Sequence, residues 1–235
     1  YRGLVRPAGL RSFQIEIKES NLLILADKKL SKESEEALIW CRKDIEQYIY
    51  KHPDFKITFK PFALEEEMPP IVKAMAEAAR EVGVGPMAAV AGAIAEFVGE
   101  KLLESCRQVI VENGGDIFIK TRKRRRVGIY AGESPLSERI ALEIEPQSTP
   151  LGICCSAGTF GRSQSLGEAD AVVILSPSAS FADAAATAVG SIVKDGDGIS
   201  KGLEFLKRFP LVRGGVIIKD EKMGVWGQVK IVRGI

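Results

Sequence analysis

Segments with the pattern of a β-strand follow one another in this sequence, without the regular alternation with helices that a parallel sheet requires. Near the start, Phe13, Ile15 and Ile17 alternate with polar residues and residues 22–25 form a second apolar run, which predicts a hairpin. Because strict alternation is absent, we expect an α+β fold with layered mixed sheets and flanking helices rather than a doubly wound sheet. Later strand patterns occupy residues 109–120, 127–131, 140–144, 171–175, 215–219 and 225–232.

Helical patterns separate these groups of strands. Residues 56–62 predict a further strand, and Pro70 and Pro86 begin helices after it, since proline is tolerated in a first helical turn. The last two helical segments are residues 180–193 and 200–208. Ser31 is the expected cap of the first helix, whose apolar stripe comprises Leu38, Cys41, Ile45 and Tyr48.

The composition is that of a globular chain with a core of its own. Of 235 residues, 46% are hydrophobic and 27% are charged, which excludes global disorder. No apolar run reaches about 18 residues and no signal-peptide pattern is present, so we expect neither a membrane span nor secretion. The four cysteines form no C-x-x-C motif, so reduced thiols and a cytoplasmic location are expected. Tyr1 is not a natural start, and we expect a few residues to precede it.

A single histidine, His52, limits the chemistry further. Zinc sites with several histidines are excluded, and a Ser-His-Asp triad would have to use this residue. His52 lies in a polar stretch after a helical pattern, so we expect an exposed residue at a helix end.

Residues 112–116, Glu-Asn-Gly-Gly-Asp, interrupt an apolar strand pattern with two glycines. Glycine weakens a strand, so its presence requires a reason. One interpretation is a β-bulge. The other is the close approach of a ligand to bare backbone. Asn113 and Asp116 would then supply polar contacts, and the N–H groups of Gly114 and Gly115 would suit a phosphate.

Residues 152–163 concentrate glycines, hydroxyls and small side chains between two strands. This composition is typical of a flexible surface loop, and also of a loop that binds phosphate or ribose with Arg162 as the counter-charge. The loop is not a Walker motif, because no G-K-[ST] is present. Cys154 and Cys155 lie at an apolar strand, which favours small buried residues over redox chemistry.

Asp183 and Thr187 are four residues apart in an alanine-rich segment and therefore share one helix face. A carboxylate and a hydroxyl on one face can hold Mg²⁺ when phosphate oxygens complete the coordination shell. The alternative is local, because Ser180-x-x-Asp183 also resembles a capping box at a helix N-terminus.

Residues 122–126, Arg-Lys-Arg-Arg-Arg, place five positive charges together, whereas the chain as a whole has a net charge of +2. Three interpretations are open: a solvated hairpin tip, a nucleic-acid contact, or positive potential near a nucleotide site. No aromatic residue interleaves with these cations, so we expect no specific nucleic-acid binding.

Four of these segments occur in the order typical of the ApbE-like superfamily, whose best-known members are FAD:protein FMN transferases, and the chain most resembles its UPF0280 branch. The likeness extends from about residue 87 to the C-terminus. Residues 91–96 are similar to the superfamily segment G-A-I-A-K-G, residues 112–117 to N-x-G-G-D-I, residues 155–158 to T-S-G, and residues 182–188 to A-D-A-L-x-T-A.

The resemblance implies a single domain over residues 1–235 with T-fold-like layers, and a smaller N-terminal α/β subdomain over residues 1–68. It also implies an Mg²⁺ site beside the pyrophosphate of FAD, formed by the Ala93 carbonyl, Asp183 and Thr187. The implied flavin site comprises Asn113, Gly114, Gly115, Asp116, Ser156 and Gly158, with Arg162 as the added counter-charge.

The implied activity is Mg²⁺-dependent transfer of FMN from FAD to a threonine or serine of an acceptor protein, and a homodimer is one open assembly. The sequence departs from the transferases in two respects. Glu96 stands where they have lysine, and their segment H-x-I-x-D-P-x-T-G is absent or compressed. Two alternatives therefore stay open: a flavin or nucleotide binder without catalysis, and a nucleic-acid-associated protein that acts through residues 122–126. No catalytic residue is assigned.

Overall fold

The computed structural model describes residues 9–157 and 167–234. In this part of the chain, eight strands form one sheet in the order β1-β2-β3-β4-β7-β8-β9-β10, and three strands form a second sheet in the order β11-β6-β5. Within both sheets, every pair of neighbouring strands is antiparallel. The strands are β1 Arg11–Ile17, β2 Ser20–Ala26, β3 Val109–Asn113, β4 Asp116–Lys120, β5 Arg125–Gly128, β6 Ile140–Ile144, β7 Leu151–Ser156, β8 Ala171–Ser176, β9 Gly214–Lys219, β10 Lys222–Gly227 and β11 Ile231–Arg233.

Helices cover one face of the larger sheet, and the smaller sheet packs on the other face. This arrangement confirms the α+β class with layered sheets and flanking helices, and the sheets are antiparallel rather than mixed. The helices are α1 Ser31–Lys51, α2 Asp54–Ile57, α3 Pro70–Val82, α4 Val90–Leu103, α5 Ala179–Ile192 and α6 Gly198–Leu206. A short 3-10 segment, Pro86–Ala89, leads into α4.

Alternation along the central strands divides the interior into two cores. In β4, Phe118 packs with the helices, whereas Ile117 and Ile119 pack toward the smaller sheet. Successive side chains of a strand point to opposite faces, so a strand that is buried on both faces is apolar throughout. The strand β8 shows this pattern, since all six of its residues are buried and the first five are apolar.

The stripe predicted for the first helix is confirmed, because all four of its residues are buried in α1. The predicted cap is wrong. The helix begins at Ser31 itself and has no side-chain cap, and the hydroxyl of Ser34 donates to the Leu30 carbonyl. His52 follows the last turn of α1 and stacks on Tyr48, with ring centroids 4.3 Å apart.

The predicted strand at residues 56–62 is also wrong. Its first residues belong to α2, and the rest is irregular. A strand would place Phe55, Ile57 and Phe59 on one face. Only Phe55 is buried, however, while Ile57 and Phe59 are 67% and 66% exposed. The aromatic contacts of Phe55 with Tyr48 and Phe62 therefore decide the local structure.

Of the helices in the two described stretches, none alone has the length and hydropathy of a membrane span. The segments Pro70–Val82 and Pro86–Leu103 meet these criteria only as a pair, which is bent by 107° at its break.

Candidate functional site

The two glycines of residues 112–116 form the turn of a tight hairpin between β3 and β4. Asn113 pairs with Asp116 across the turn, and Gly114 and Gly115 have φ values of 65° and 107°. Both central residues of such a two-residue turn need positive φ, which glycine adopts without steric cost. The predicted β-bulge is therefore wrong, and the glycines end one strand and begin the next.

Polar contacts hold this hairpin against the start of α4. The Glu112 carboxylate accepts a hydrogen bond from the Gly115 N–H at 3.0 Å, which fixes the turn. The Asn113 amide donates to the Ala91 carbonyl at 3.1 Å. Asn113 thus connects the turn to the first residues of the helix that carries Ala93.

The N-terminus of α4 also meets α5. The Asp183 carboxylate accepts a hydrogen bond from the Gly92 N–H at 2.8 Å, across 91 positions of sequence. Gly92 permits this approach, because a Cβ atom there would lie 2.7 Å from Asp183 Cβ and closer still to the Ala179 carbonyl oxygen. The contact brings Asp183 to the residue before Ala93.

Asp183 does not cap its own helix, so the capping-box interpretation is wrong. Ser178 is the N-cap of α5, and its hydroxyl accepts a hydrogen bond from the Phe181 N–H at 3.2 Å. Thr187 follows Asp183 by one turn and, like Asp183, is half-buried. The carboxylate and the hydroxyl are therefore not used for the local helix end.

A second carboxylate, Asp116, faces the same region from β4. Asp116 is buried and accepts a hydrogen bond from the Cys155 N–H at 3.1 Å. Two causes raise the pKa of Asp116 well above its usual range: burial, which is the larger, and repulsion from Asp183. Burial likewise raises the pKa of Asp183 to about 7, although hydrogen bonds from the Gly92 and Ala91 N–H groups oppose this.

The end of β7 supplies the third side of the site. Cys154 is fully buried between Asp116 and α5, its thiol lies 3.3 Å from the Ala179 carbonyl oxygen, and burial raises its pKa well above the usual range. This environment agrees with the interpretation of Cys154 as a small buried residue. Ser156 is 2% exposed, and its hydroxyl has no hydrogen-bond partner within the described part of the chain. Gly158 and Arg162 lie outside the described residues.

Comparison with known proteins identifies the family. A family model described as AbpE bacteria matches residues 3–202. A UPF0280 protein of Methanococcus maripaludis strain C7 is 40% identical over 222 residues, which are 92% of this chain and 90% of the relative. One of Methanosarcina barkeri is 38% identical over 217 residues, 91% and 85% of the two chains. The chain belongs to the UPF0280 family.

Solved structures show the same fold at low sequence identity. The flavinyl transferase ApbE of Pseudomonas stutzeri aligns with this UPF0280 protein with a TM-score of 0.58 and 13% identity, covering 92% of this chain and 93% of that one. The ApbE protein of Thermotoga maritima aligns with a TM-score of 0.56 and 11% identity, covering 96% and 97%. The fold of this UPF0280 chain is therefore that of flavin transferases.

Glu96 has a role that the sequence does not reveal. Its Oε2 atom accepts hydrogen bonds from the Ser180 N–H at 2.8 Å, the Ser180 hydroxyl at 2.7 Å and the Ser178 hydroxyl at 3.1 Å. Glu96 thus binds the N-terminus of α5. The available signal is the pair of serines at the start of an alanine-rich helix, and it does not indicate which distant carboxylate they bind.

The donors at the site fit Mg²⁺ better than a soft metal. Among the described residues of this UPF0280 chain, no three His, Cys, Asp or Glu side chains cluster as a metal site. Mg²⁺ does not require such a cluster, since one or two carboxylates, substrate phosphates and water commonly suffice. Burial and mutual repulsion disfavour the ionised forms of Asp116 and Asp183, and a divalent cation would stabilise these forms.

The basic run lies elsewhere and is partly neutralised. Arg125 is 4% exposed and donates to the Thr121 hydroxyl at 3.2 Å. Arg124 pairs with Glu145 at 2.8 Å, and both Arg124 and Arg126 lie 3.6 Å from Glu143. The run therefore comprises the connection over residues 122–124 and the first two residues of the edge strand β5, with ion pairs to acidic residues, rather than five free cations at a hairpin tip.

Proposed function

We propose that this protein binds FAD or a related flavin nucleotide together with Mg²⁺ between the β3–β4 turn, the end of β7 and the first turns of α4 and α5. One observation carries the proposal. Asp183 reaches across to the N-terminus of α4 and shares a buried region with Asp116, where two carboxylates repel each other. A bound divalent cation would relieve that repulsion.

The candidate residues divide by their chemistry. Asp183, Thr187 and the Ala93 carbonyl offer the oxygen ligands that Mg²⁺ prefers. The Gly114 N–H and the Ser156 hydroxyl, which has no partner among the described residues, offer donors to a phosphate or a ribose, whereas the Gly115 N–H already donates to Glu112. The proposed flavin-binding residues are Asn113, Gly114, Gly115, Asp116, Ser156, Gly158 and Arg162.

The reaction that fits this site is transfer of FMN from FAD to a hydroxyl of a threonine or serine in an acceptor protein, with AMP as the leaving group. Mg²⁺, when bound, would neutralise charge on the pyrophosphate. Asp183 would hold its position through the Gly92 N–H, and Asn113 would keep the glycine turn next to it. Transferase neighbours with the same fold support the proposal.

Titration of FAD fluorescence with and without Mg²⁺ tests the binding. We expect saturable binding that Mg²⁺ strengthens, and loss of the Mg²⁺ effect in Asp183→Asn. Asp197→Asn is the matched control, because Asp197 is an exposed carboxylate outside the site. Absence of FAD binding, or binding that neither Mg²⁺ nor Asp183→Asn changes, would contradict the proposal.

A second candidate is a flavin or nucleotide binder that does not transfer FMN. It is favoured by Glu96, which stands at the position of the transferase lysine and binds serines of α5. Incubation with FAD, Mg²⁺ and a peptide acceptor of known transferases separates the two candidates. We expect FAD binding with slow or absent release of AMP, whereas a peptide that gains FMN at the rate of a known transferase would select the enzyme.

A further inference from the structure

We infer that Glu96 is a positioning residue: with Asp183 it forms a reciprocal pair of caps that sets how α4 and α5 meet at the proposed Mg²⁺ site. The inference rests on the proposed function for its consequence, but not for its geometry. Asp183 of α5 accepts from the Gly92 N–H in the first turn of α4. Glu96 of α4 accepts from the Ser180 N–H in the first turn of α5.

The two bonds act on one side of each helix. Gly92 and Glu96 are four residues apart, and Ser180 and Asp183 are three apart, so each pair lies on one face. Each helix therefore receives a carboxylate from the other at its N-terminus, where backbone N–H groups lack helical partners and the helix dipole favours negative charge. A sliding or rotation of one helix against the other therefore changes the geometry of both bonds.

Packing leaves little freedom for an alternative arrangement. Beside these bonds, Gly92 contacts Ala179, and a Cβ at Gly152 of β7 would lie 2.7 Å from the Ala179 backbone nitrogen. The first turn of α5 is thus held between α4 and β7 at glycines. Glu96 restricts the orientation of α5 at this contact, because its Oε2 atom accepts hydrogen bonds from both the backbone N–H and the hydroxyl of Ser180.

The hydrogen bonds of Glu96 indicate that a lysine at this position would not fit the described arrangement of α4 and α5. An ammonium group in place of Glu96 would meet the positive end of α5 and the Ser180 N–H, which is a donor as well. Glu96 is therefore a part of this protein's way of placing Asp183, and a lysine here does not restore a transferase site.

The test compares Glu96→Ala, Glu96→Gln and Glu96→Lys with Glu100→Ala, an exposed glutamate one turn further along the same helix. Amide hydrogen exchange is measured at Ser180 and at Gly92 without any ligand, and the affinity for FAD with Mg²⁺ is measured by fluorescence. We expect Glu96→Ala and Glu96→Lys to speed exchange at both amides, although the Glu96 carboxylate binds Ser178 and Ser180 and the Gly92 amide binds Asp183, and to weaken binding roughly tenfold. Glu96→Gln keeps an acceptor oxygen and should recover most protection.

Faster exchange at Ser180 with unchanged exchange at Gly92 would overturn the inference, since Glu96 would then be only a local cap. The same holds if Glu100→Ala has the effect of Glu96→Ala. If Glu96→Ala does not fold, Ser180→Ala replaces it, because this variant removes one hydroxyl bond and keeps the backbone donor. Absence of FAD binding in the unmodified protein would contradict the proposed function alone, while the exchange at Gly92 would still decide on Glu96.

Discussion

Asp183 is a carboxylate that the fold keeps in a costly environment. Burial raises its pKa to about 7, and its charge also raises the pKa of Asp116. Two such groups titrate as a pair, so the proton that one loses affects the other. A protein can hold unfavourable charge at a site where a ligand later offsets it. The charge of Asp183 therefore lowers the stability of the ligand-free protein, and the proposed cation would offset this effect.

Asp183→Asn should change how the stability of the ligand-free protein depends on pH. The folded pKa of about 7 lies above the ordinary value of 3.8. The folded state therefore binds more protons between these values, and the contribution of Asp183 to stability is present at low pH and declines as pH rises toward 7. Urea unfolding from pH 4.5 to 8 should show the unmodified protein losing stability relative to Asp183→Asn.

The difference between the two proteins is the relevant quantity, because Glu46 and Glu143 have lowered pKa values and act in the opposite direction. Asn keeps an oxygen that accepts from the Gly92 N–H, so the hydrogen bond is retained while the charge is removed. A stability difference that is constant over this pH range would show that Asp183 does not titrate there. Saturating Mg²⁺ should abolish the decline if the cation binds as proposed.

At the scale of elements, the glycines of the β3–β4 turn can be required for two reasons: the backbone conformation of the turn, or the approach of a ligand. Gly114 has positive φ, yet a Cβ there would meet no atom of the described residues within 4 Å. The glycine is needed for its conformation and not for packing inside the fold. Open space around bare backbone at the site is what an approaching ligand would use, but the fold alone does not require it.

Gly114→Asn and Gly114→Val test this distinction. Asn tolerates the left-handed region, whereas a β-branched residue there is strained by about 1–3 kcal/mol. We expect Gly114→Val to lower the free energy of unfolding by that amount, and Gly114→Asn to change it little. Both variants should lose FAD binding if the ligand approaches Gly114. Unchanged affinity in folded Gly114→Asn would limit the role of the glycine to the turn.

The contact between α4 and α5 leads to a different expectation for glycine. In Gly92→Ala, the added methyl group would overlap the Ala179 carbonyl and Asp183. Overpacking of this kind costs about 1–3 kcal/mol and shifts the backbone. Denaturant unfolding should show this loss. The change should also weaken FAD binding with Mg²⁺, because Asp183 moves away from α4.

Gly83→Ala, at the end of α3, is the matched control for Gly92→Ala, since it adds the same methyl group at a position with open space among the described residues. It should cost only the backbone strain of a positive φ and leave Asp183 in place. If Gly92→Ala were as stable as the unmodified protein, the close contact between the helices would not be tight enough to position Asp183.

The periodicity of apolar residues along the sequence predicts those strands and helices that bury a regular apolar face. The strand β8 and the stripe of α1 follow directly from their apolar patterns. The strand predicted over residues 56–62 is wrong because the aromatic contact of Phe55 outweighs a weak alternation of apolar and polar residues. Asp183 and Thr187 stood out by spacing, but the partner of Asp183 lies 91 residues away, and Glu96 is likewise paired only by the fold. No period within a segment encodes such distant pairing.

At the scale of the whole molecule, the distribution of charge bears on the nucleic-acid alternative. The acidic residues of β6 and of the turn after it lie opposite the basic residues of β5, and Lys230 adds a contact of 2.5 Å to Glu143. Arg122 and Lys123 remain exposed at the edge. Arg122 shares a shallow depression with Arg107 and Lys120, so a small basic surface persists after the pairing.

Binding of DNA and RNA to this surface should therefore be weak and governed by salt. Two or three phosphate contacts without aromatic stacking predict a decrease in affinity of roughly ten- to fortyfold between 50 and 200 mM salt. A fluorescence anisotropy titration measures this decrease, and Arg122→Gln should reduce the binding that remains at low salt. Arg124→Gln should reduce it less, because the Arg124 charge is already paired with Glu145. Submicromolar binding at physiological salt would contradict this expectation, since the cations of this small surface are too few to produce it, and it would favour a nucleic-acid role over a flavin site.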